Sequence, residues 1–359
     1  MTNRIHFLDG IRGWAALSVL IGHLLFLLAP WLPDSDHYLT IGWYTLVRFI
    51  SDGHLAVLIF FTLSGYALSI HQLNPSRRNL ALAACSRYFR LLLPVLVTSL
   101  FAYLLLKLGL FFNQEVGPTS SWMGGFYNFD ASLIKVLKFA FYDVFIDYKE
   151  NLSYNVALWT MKNELLGSFF IYLFLGVFRS SERPQWIIIV PLAIHLLFSQ
   201  PLLACFMVGY IIAELNTSFP PSKNSLFNKS FICLFIATAI LTTIFRQSDK
   251  LTCVLAGLLT LSVSYSETLR GVFEGKMSRF LGEISFPLYL IQIPIICSWS
   301  SYLYLHLKND GLTPELNNLF NGFTTISLSI LLSVCLLPIE KLSIQASKKI
   351  GRLLLLPRQ

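Results

Sequence analysis

An arginine and a histidine lie eleven residues apart at the start of the first long apolar stretch of the chain. Arg12 precedes this stretch, and His23 lies within a run from Gly13 to Leu28 that otherwise carries no charge. In an α-helix this spacing places both side chains on one face, about 16 Å apart along the axis. Ionisable groups are costly inside a membrane-spanning helix and indicate function, and an imidazole exchanges protons near neutral pH. The pair therefore predicts proton transfer by His23.

A carboxylate in a later apolar stretch is predicted to lie at the depth of the histidine. Glu164 is eight residues past the start of the stretch 156–178, and His23 is seven residues short of Pro30, where the first stretch ends. Because the two stretches run in opposite directions, these positions are about 12 Å and about 10 Å from the same outer surface. A carboxylate at that depth needs a partner, so Glu164 is predicted to polarise the imidazole and make it a better base.

A second pair of basic residues, Arg87 and Arg90, shares one helical face where the chain re-enters an apolar stretch. Together with Arg12, and with Arg77 and Arg78, it predicts a cationic ring at the inner surface. Guanidinium groups offer fixed, multidentate donors to phosphate, so the ring could hold a phosphorylated cytosolic ligand. Alternatively, arginines at inner helix ends are orientation signals whose side chains reach the lipid headgroups.

Two further candidates have equally good structural interpretations. Asp9, three residues before Arg12, is suited to neutralising that arginine. Ser64, followed by Gly65, is more typical of close helix packing than of a nucleophile, because small residues let membrane helices approach.

The elements that must position these residues are membrane helices. Of the 359 residues 55% are hydrophobic and 13% charged, whereas charged residues make up about 25% of soluble globular domains. We therefore predict an all-α, polytopic integral membrane protein. The fifth and sixth of its apolar stretches are short and meet at Ser199-Gln200-Pro201, as in a tight hairpin or a re-entrant element. The ten predicted spans are 12–30, 54–71, 91–112, 156–178, 186–199, 201–215, 229–245, 251–267, 283–305 and 320–338.

The distribution of positive charge orients these spans. With the N-terminus inside, 18 of the 27 Lys and Arg residues fall on the inner side, seven in outer loops and two within spans. Cytoplasmic loops carry the excess of positive charge, so both termini are predicted to be cytoplasmic. The net charge of +8 suits anionic lipid headgroups or a polyanionic ligand better than nucleic acid. The six cysteines form no CxxC motif, so neither a disulfide nor a metal site is expected.

The chain is predicted to form one membrane domain over residues 1–359. Its long break between spans, 113–155, is expected on the extracytoplasmic side and contains a short amphipathic pattern from Leu133 to Phe141. That helix is expected to lie on the membrane or over a cavity, as a surface helix or a lid. Residues 339–359 are expected to be a cytoplasmic tail.

Five blocks of sequence carry a resemblance to a known family. These blocks are Phe7 to Ala16 followed by His23, Phe60 to Tyr66 with Ser64, Arg87 with Arg90, Leu158 to Thr160 with Trp159 and followed by Glu164, and Leu281 to Leu290 with Tyr289. In the order in which they occur, they resemble the membrane acyltransferase-3 family.

The resemblance implies about ten transmembrane helices and an acyl-CoA donor, commonly acetyl-CoA, that binds from the cytoplasm. It implies that His23 is the catalytic base and that Glu164 supports the histidine or the acceptor. By the same resemblance Arg12, Arg87 and Arg90 contact the CoA phosphates. Members often have a histidine where this chain has Gln292, three residues after Tyr289, although glutamine still donates and accepts hydrogen bonds.

The function expected from these features is O-acylation in a bacterial cytoplasmic membrane. The acceptor would be a cell-surface or lipid-linked glycan, with O-antigen sugars of lipopolysaccharide as the leading class. Direct transfer and a relay through an acylated residue both remain open. The alternative is a transporter or flippase of lipid-linked sugars with a His/Glu proton relay, although the sequence has no matched broken helices typical of transporters. A polysaccharide polymerase is a third candidate.

Overall fold

The computed structural model describes residues 5–29, 43–70, 77–178, 186–222, 224–245, 248–307 and 313–355. Within these ranges the chain forms helices and no strands, which confirms the all-α class. Pro30, the predicted end of the first span, lies outside the described residues, as do the side chains of Arg77 and Arg78.

Fifteen α-helices are described and are numbered in chain order. A 3-10 turn at Val156–Trp159 leads into the seventh, and a π-helical turn at Ile296–Ser300 joins the thirteenth and fourteenth. Further turns lie at Phe139–Asp143 and Glu150–Leu152. The helices are α1 (His6–Leu28), α2 (Trp43–Ile50), α3 (Gly53–Ile70), α4 (Arg77–Lys107), α5 (Ser121–Gly124), α6 (Leu133–Lys138), α7 (Thr160–Phe178), α8 (Trp186–Ser199), α9 (Pro201–Ser218), α10 (Ser225–Ile244), α11 (Asp249–Tyr265), α12 (Glu267–Phe273), α13 (Lys276–Ile295), α14 (Ser301–His306) and α15 (Pro314–Leu355).

Every predicted span has a helix, but not every helix is long enough to cross a bilayer. In the described part of the chain eight helical segments are long and apolar enough, or nine if α11 and α12, bent by 100°, form one span. The 14 residues of α8 cover about 21 Å, less than a hydrocarbon core of about 30 Å. The count of ten crossings and the charge-based orientation therefore stay predictions.

The two sides of the helix bundle take their names from the direction of α1. The N-terminal side is where α1 begins, and the loop side is where it ends. The segment 108–155 lies on the loop side, because Trp122 in α5 packs against Phe26 near the end of α1 and the amide of Phe112 donates to the carbonyl of Cys297. The predicted short helix in this segment is α6, with Val136 buried and Ile134 exposed.

Helices α1 and α13 run parallel and in close contact. A Cβ added at Gly13 would meet the backbone of Gly282, and one added at Gly282 would meet the backbone of Asp9. Such glycines let two membrane helices approach more closely than larger residues allow. Ten residues further along α1 and α13 this register brings His23 beside Gln292.

Helices α3 and α9 are packed in the same way but antiparallel. A Cβ at Gly65 would meet the backbone of Phe206, and a Cβ at Gly209 would meet the backbone of Thr62. Close packing therefore accounts for Gly65, as one of the two interpretations of Ser64-Gly65 predicted, while the Ser64 side chain turns to a different partner.

Residues 339–355, which belong to the predicted cytoplasmic tail, are helical. They continue α15, which is 42 residues long and contains Pro338. Proline removes one backbone donor and disfavours a helix interior, but neighbouring helices can hold a membrane helix intact across it. Here the segment packs along α4, where the hydroxyl of Ser343 donates to the carbonyl of Arg90 at 2.6 Å.

Candidate active site

A cavity of about 720 Å³ lies between α1, α3, α4, α7, α13 and α15. One part of its lining is strongly charged, and the other consists of aromatic, aliphatic and hydroxyl side chains that include Phe60, Thr160 and Tyr289. This arrangement suits a ligand with an anionic part and a less polar part. The charged lining residues are Asp9, Arg12, Arg87, Arg90, Glu164, Glu283, Glu340, Lys341 and Lys348.

The structure brings together the three arginines that the sequence singled out. Arg12, Arg87 and Arg90 all line the cavity, and Arg90 lies within electrostatic range of the other two. Asp9 is 3.8 Å from Arg12, measured between Oδ1 and Nη1, which agrees with a neutralising role. Sequence reasoning missed Lys341, because it assigned the end of the chain to a tail.

The structure gives Glu164 a different partner from the one predicted. Its carboxylate forms an ion pair with Arg87 and accepts a hydrogen bond from Ser64 at 2.8 Å. Arg87 also donates through Nε to the hydroxyl of Ser168 at 2.9 Å, one turn further along α7. The predicted pairing of Glu164 with His23 is therefore wrong. A guanidinium is permanently charged and compensates a buried carboxylate better than a neutral imidazole does.

His23 lies at the loop side of the cavity and is not part of its described lining. Its Nδ1 is 3.4 Å from Oε1 of Gln292, and its ring stacks on Trp122 with 5.2 Å between centroids. Sequence reasoning missed Trp122, which lies in the 108–155 segment and carries no pattern that would connect it with α1. Trp122 of this segment therefore covers the histidine, and the choice between a surface helix and a lid for α6 stays a prediction.

Tyr289 lies between the cavity and His23. Its hydroxyl donates to the carbonyl of Ala157 at 2.7 Å and is 2.9 Å from the hydroxyl of Thr160. Gln292 follows one helical turn later, and its Nε2 donates to the carbonyl of Tyr289 at 3.2 Å. A hydrogen-bonded layer therefore separates the lined cavity from the imidazole by about one turn of α13, or about 5 Å.

The start of α7 is held in place by the loop-side segment. Tyr148 donates its hydroxyl to the carbonyl of Val156 at 3.0 Å. Burial raises the pKa of Tyr148 to about 12, so the hydroxyl stays protonated and remains a donor at neutral pH. Trp159, in the 3-10 turn that follows, is partly buried against the core and is not part of the described cavity lining, whereas its neighbour Thr160 is.

Comparisons with known proteins agree with one another. A family model described as an acyltransferase domain, Acyl_transf_3, matches residues 5–338. The chain is 22% identical over 368 residues to the O-acetyltransferase PaAT-1 of Phomopsis amygdali, covering 82% of this chain and 73% of that protein. No solved structure matches the chain significantly. The matched range contains every site residue predicted from the sequence and ends before Lys341 and Lys348.

Proposed function

Because the chain belongs to the acyltransferase-3 family and is an acyltransferase, we propose that it transfers an acyl group, first of all acetyl, from acyl-CoA to a hydroxyl group of a cell-surface or lipid-linked glycan. One observation carries this proposal. A cavity with a cationic lining at one end leads towards an imidazole that is held by Gln292 on the same helix face as Arg12.

The cavity suits the chemistry of the donor. A CoA thioester carries its phosphates at one end and the thioester at the far end of a flexible arm. In the proposed complex the phosphates lie near Arg87 and Arg90, and the arm extends towards Phe60 and Tyr289. Arginine forks bind phosphate through paired, charge-assisted hydrogen bonds.

The proposed reaction needs one base. His23 removes the proton of the acceptor hydroxyl as its oxygen attacks the thioester carbonyl. A carbon–oxygen bond forms, the carbon–sulfur bond breaks, and the departing CoA thiolate takes the proton from the imidazolium. Opening of the hydrogen-bonded layer at Tyr289 would join the donor arm to the imidazole. In the variant with a relay, the imidazole itself would carry the acyl group before the acceptor takes it.

Gln292 takes the supporting role that Glu164 was expected to have. When its carbonyl oxygen accepts the Nδ1 proton of His23, the lone pair of Nε2 is free to act as the base. Glu164 instead holds Arg87 at the cavity wall, so it supports the donor site and not the base.

The proposed orientation follows the distribution of positive charge. The N-terminal side would face the cytoplasm, where acyl-CoA is made, and the loop side with His23 would face the acceptor. A bacterial cytoplasmic membrane and O-antigen sugars fit this orientation. A sugar transporter with a His23–Glu164 proton relay receives no support from the contacts, because Glu164 is ion-paired with Arg87.

The assay that tests the proposal supplies purified protein with radiolabelled acetyl-CoA and an O-antigen oligosaccharide. We expect label on a glycan hydroxyl, released by mild base as an ester would be. Uptake of oligosaccharide into vesicles without any transfer of label would instead support the transporter.

Replacing Gln292 with leucine tests how the base is oriented. We expect kcat to fall about five- to tenfold, because the loss of one hydrogen bond of about 1 kcal/mol leaves the imidazole free to turn. The KM for acetyl-CoA should stay constant, because Gln292 lies outside the described cavity lining. Steady-state kinetics across pH measures both constants.

The matched control is Asn321→Leu, which removes a buried amide that is hydrogen-bonded to Ser300 and makes no described hydrogen bond to His23. An equal loss of kcat in this control would mean that Gln292 acts through general stability and not through the imidazole.

A further inference from the structure

The cavity has a wall that the family match does not include. The match ends at residue 338, yet residues of α15 beyond that point line the same cavity as Arg12, Arg87 and Arg90. Lys341, Ile344 and Lys348 are spaced by three and four residues, so they form one stripe along the helix. The stripe begins inside the match at Leu337.

This extension, residues 339–355, is fixed to α4 by an adjacent face of α15, which carries small residues. Ser343 and Ser347 are buried, and the hydroxyl of Ser343 donates to the carbonyl of Arg90. One turn beyond Ser347, a Cβ added at Gly351 would meet the side chain of Ser86 on α4. Small residues at every fourth position thus bring the two helices into close contact and hold the lysine stripe next to the arginines.

The charge balance of the cavity lining depends on the lysines of the extension. Asp9 neutralises Arg12, Glu164 neutralises Arg87, and Glu340 lies within electrostatic range of Arg90, so each of the three arginines already faces a carboxylate. Without the extension the described lining holds three basic and three acidic side chains and has no net charge. Lys341 and Lys348, even with Glu340, give it a positive balance. A ligand with several phosphates needs such an excess, because phosphates are costly to desolvate without compensating cations.

We propose that this C-terminal extension is part of the donor-binding site and that Lys341 and Lys348 bind the nucleotide phosphates of acyl-CoA. The inference rests on the proposed function and adds two phosphate-binding lysines and one helix to the donor site. Both side chains are exposed, so they can move to meet a phosphate and then pack against it.

The experiment measures KM with two donors. Lys341→Gln, Lys348→Gln and the double variant are compared with the wild type, using acetyl-CoA and acetyl-pantetheine, which lacks the nucleotide phosphates. We expect each single variant to raise the KM for acetyl-CoA by about tenfold, the equivalent of one charge-assisted contact. The KM for acetyl-pantetheine should not rise. A parallel rise for both donors would overturn the assignment of the lysines to the phosphates.

Lys349→Gln is the matched control, because Lys349 is an exposed lysine of the same extension that is absent from the described lining. Equal KM values for acetyl-CoA in all variants and this control would overturn the inference while leaving acyl transfer intact. An inactive wild type would instead contradict the proposed function.

A lipid headgroup offers the same phosphate chemistry, so the measurement is made in phosphatidylcholine vesicles and in vesicles that also contain phosphatidylglycerol. A rise in KM in both lipids supports binding of the donor. A rise confined to the anionic vesicles would overturn the proposal in favour of headgroup binding.

Discussion

Replacing His23 with alanine is expected to lower kcat for acyl transfer by about 100- to 10,000-fold, the usual contribution of a positioned general base. The imidazole lies between Gln292 and Trp122, so no neighbouring group in the described contacts offers a second base of similar strength. The KM for acetyl-CoA should change little, because His23 is not part of the cavity lining. The measurement is transfer of label by purified variants at a saturating concentration of donor.

The comparison for this variant is His195→Ala, which removes an exposed histidine of α8. It should transfer label at the wild-type rate. Both proteins should be recovered from the membrane in equal yield. A His23→Ala protein that keeps more than about a tenth of the wild-type kcat would mean that another group takes the proton.

Breaking the ion pair between Arg87 and Glu164 is expected to have the largest effect on stability. Both side chains are largely buried, with 10% and 13% of their surfaces exposed. Removing either partner leaves the other charge buried without compensation, which costs about 3–5 kcal/mol. We therefore expect Arg87→Gln and Glu164→Gln each to lower the free energy of unfolding by about this amount, measured by denaturation in detergent.

The double variant distinguishes pairing from simple loss of side chains. Because it leaves no unpaired charge, Arg87→Gln with Glu164→Gln should be less destabilised than the sum of the single variants. Lys135→Gln, which breaks a pair with Asp130 at an exposed site, should cost about 0–1 kcal/mol. Additive losses in the double variant would show that the two groups do not stabilise one another.

The positions of the helices could be predicted from the sequence, because an apolar run of about 20 residues has few alternatives in a bilayer. The predicted spans 156–178 and 201–215 fall within the helical segments Val156–Phe178 and Pro201–Ser218. The start of α4 could not be predicted this way, because its first 14 residues, 77–90, include four arginines and the apolar run begins only at residue 91. The end of α15 was missed for the same reason.

The contacts between helices were harder to predict. Depth along the membrane, from which the pairing of Glu164 with His23 was predicted, gives only one coordinate. Depth gives neither the rotation of α7 nor the helix whose side chain pairs with Glu164. That helix is α4, through Arg87. The contact of Gln292 with His23 depends on glycines such as Gly13 and Gly282, which let α1 and α13 run side by side. Two parallel helices with glycines in matching register could have been sought in the sequence, but many other pairs of helices would have met that criterion.

The arginine cluster was predictable as a group but not in its charge balance. Arg12, Arg87 and Arg90 line one cavity, and each lies in the first half of its helix. Asp9 is local to Arg12 and was predicted to neutralise it, whereas the partner of Arg87 and the lysines of α15 come from distant parts of the chain. Only the packing of α15 on α4 brings those lysines to the cavity.

The most direct test of the proposed function is acetyl transfer across a sealed membrane. Proteoliposomes hold an O-antigen oligosaccharide in their lumen and receive radiolabelled acetyl-CoA outside. We expect label on the lumenal oligosaccharide with the wild type, because donor and base are reached from opposite sides, and at most about a hundredth of that label with His23→Ala. Label that appears only when donor and oligosaccharide share one side, or equally with both proteins, would contradict it.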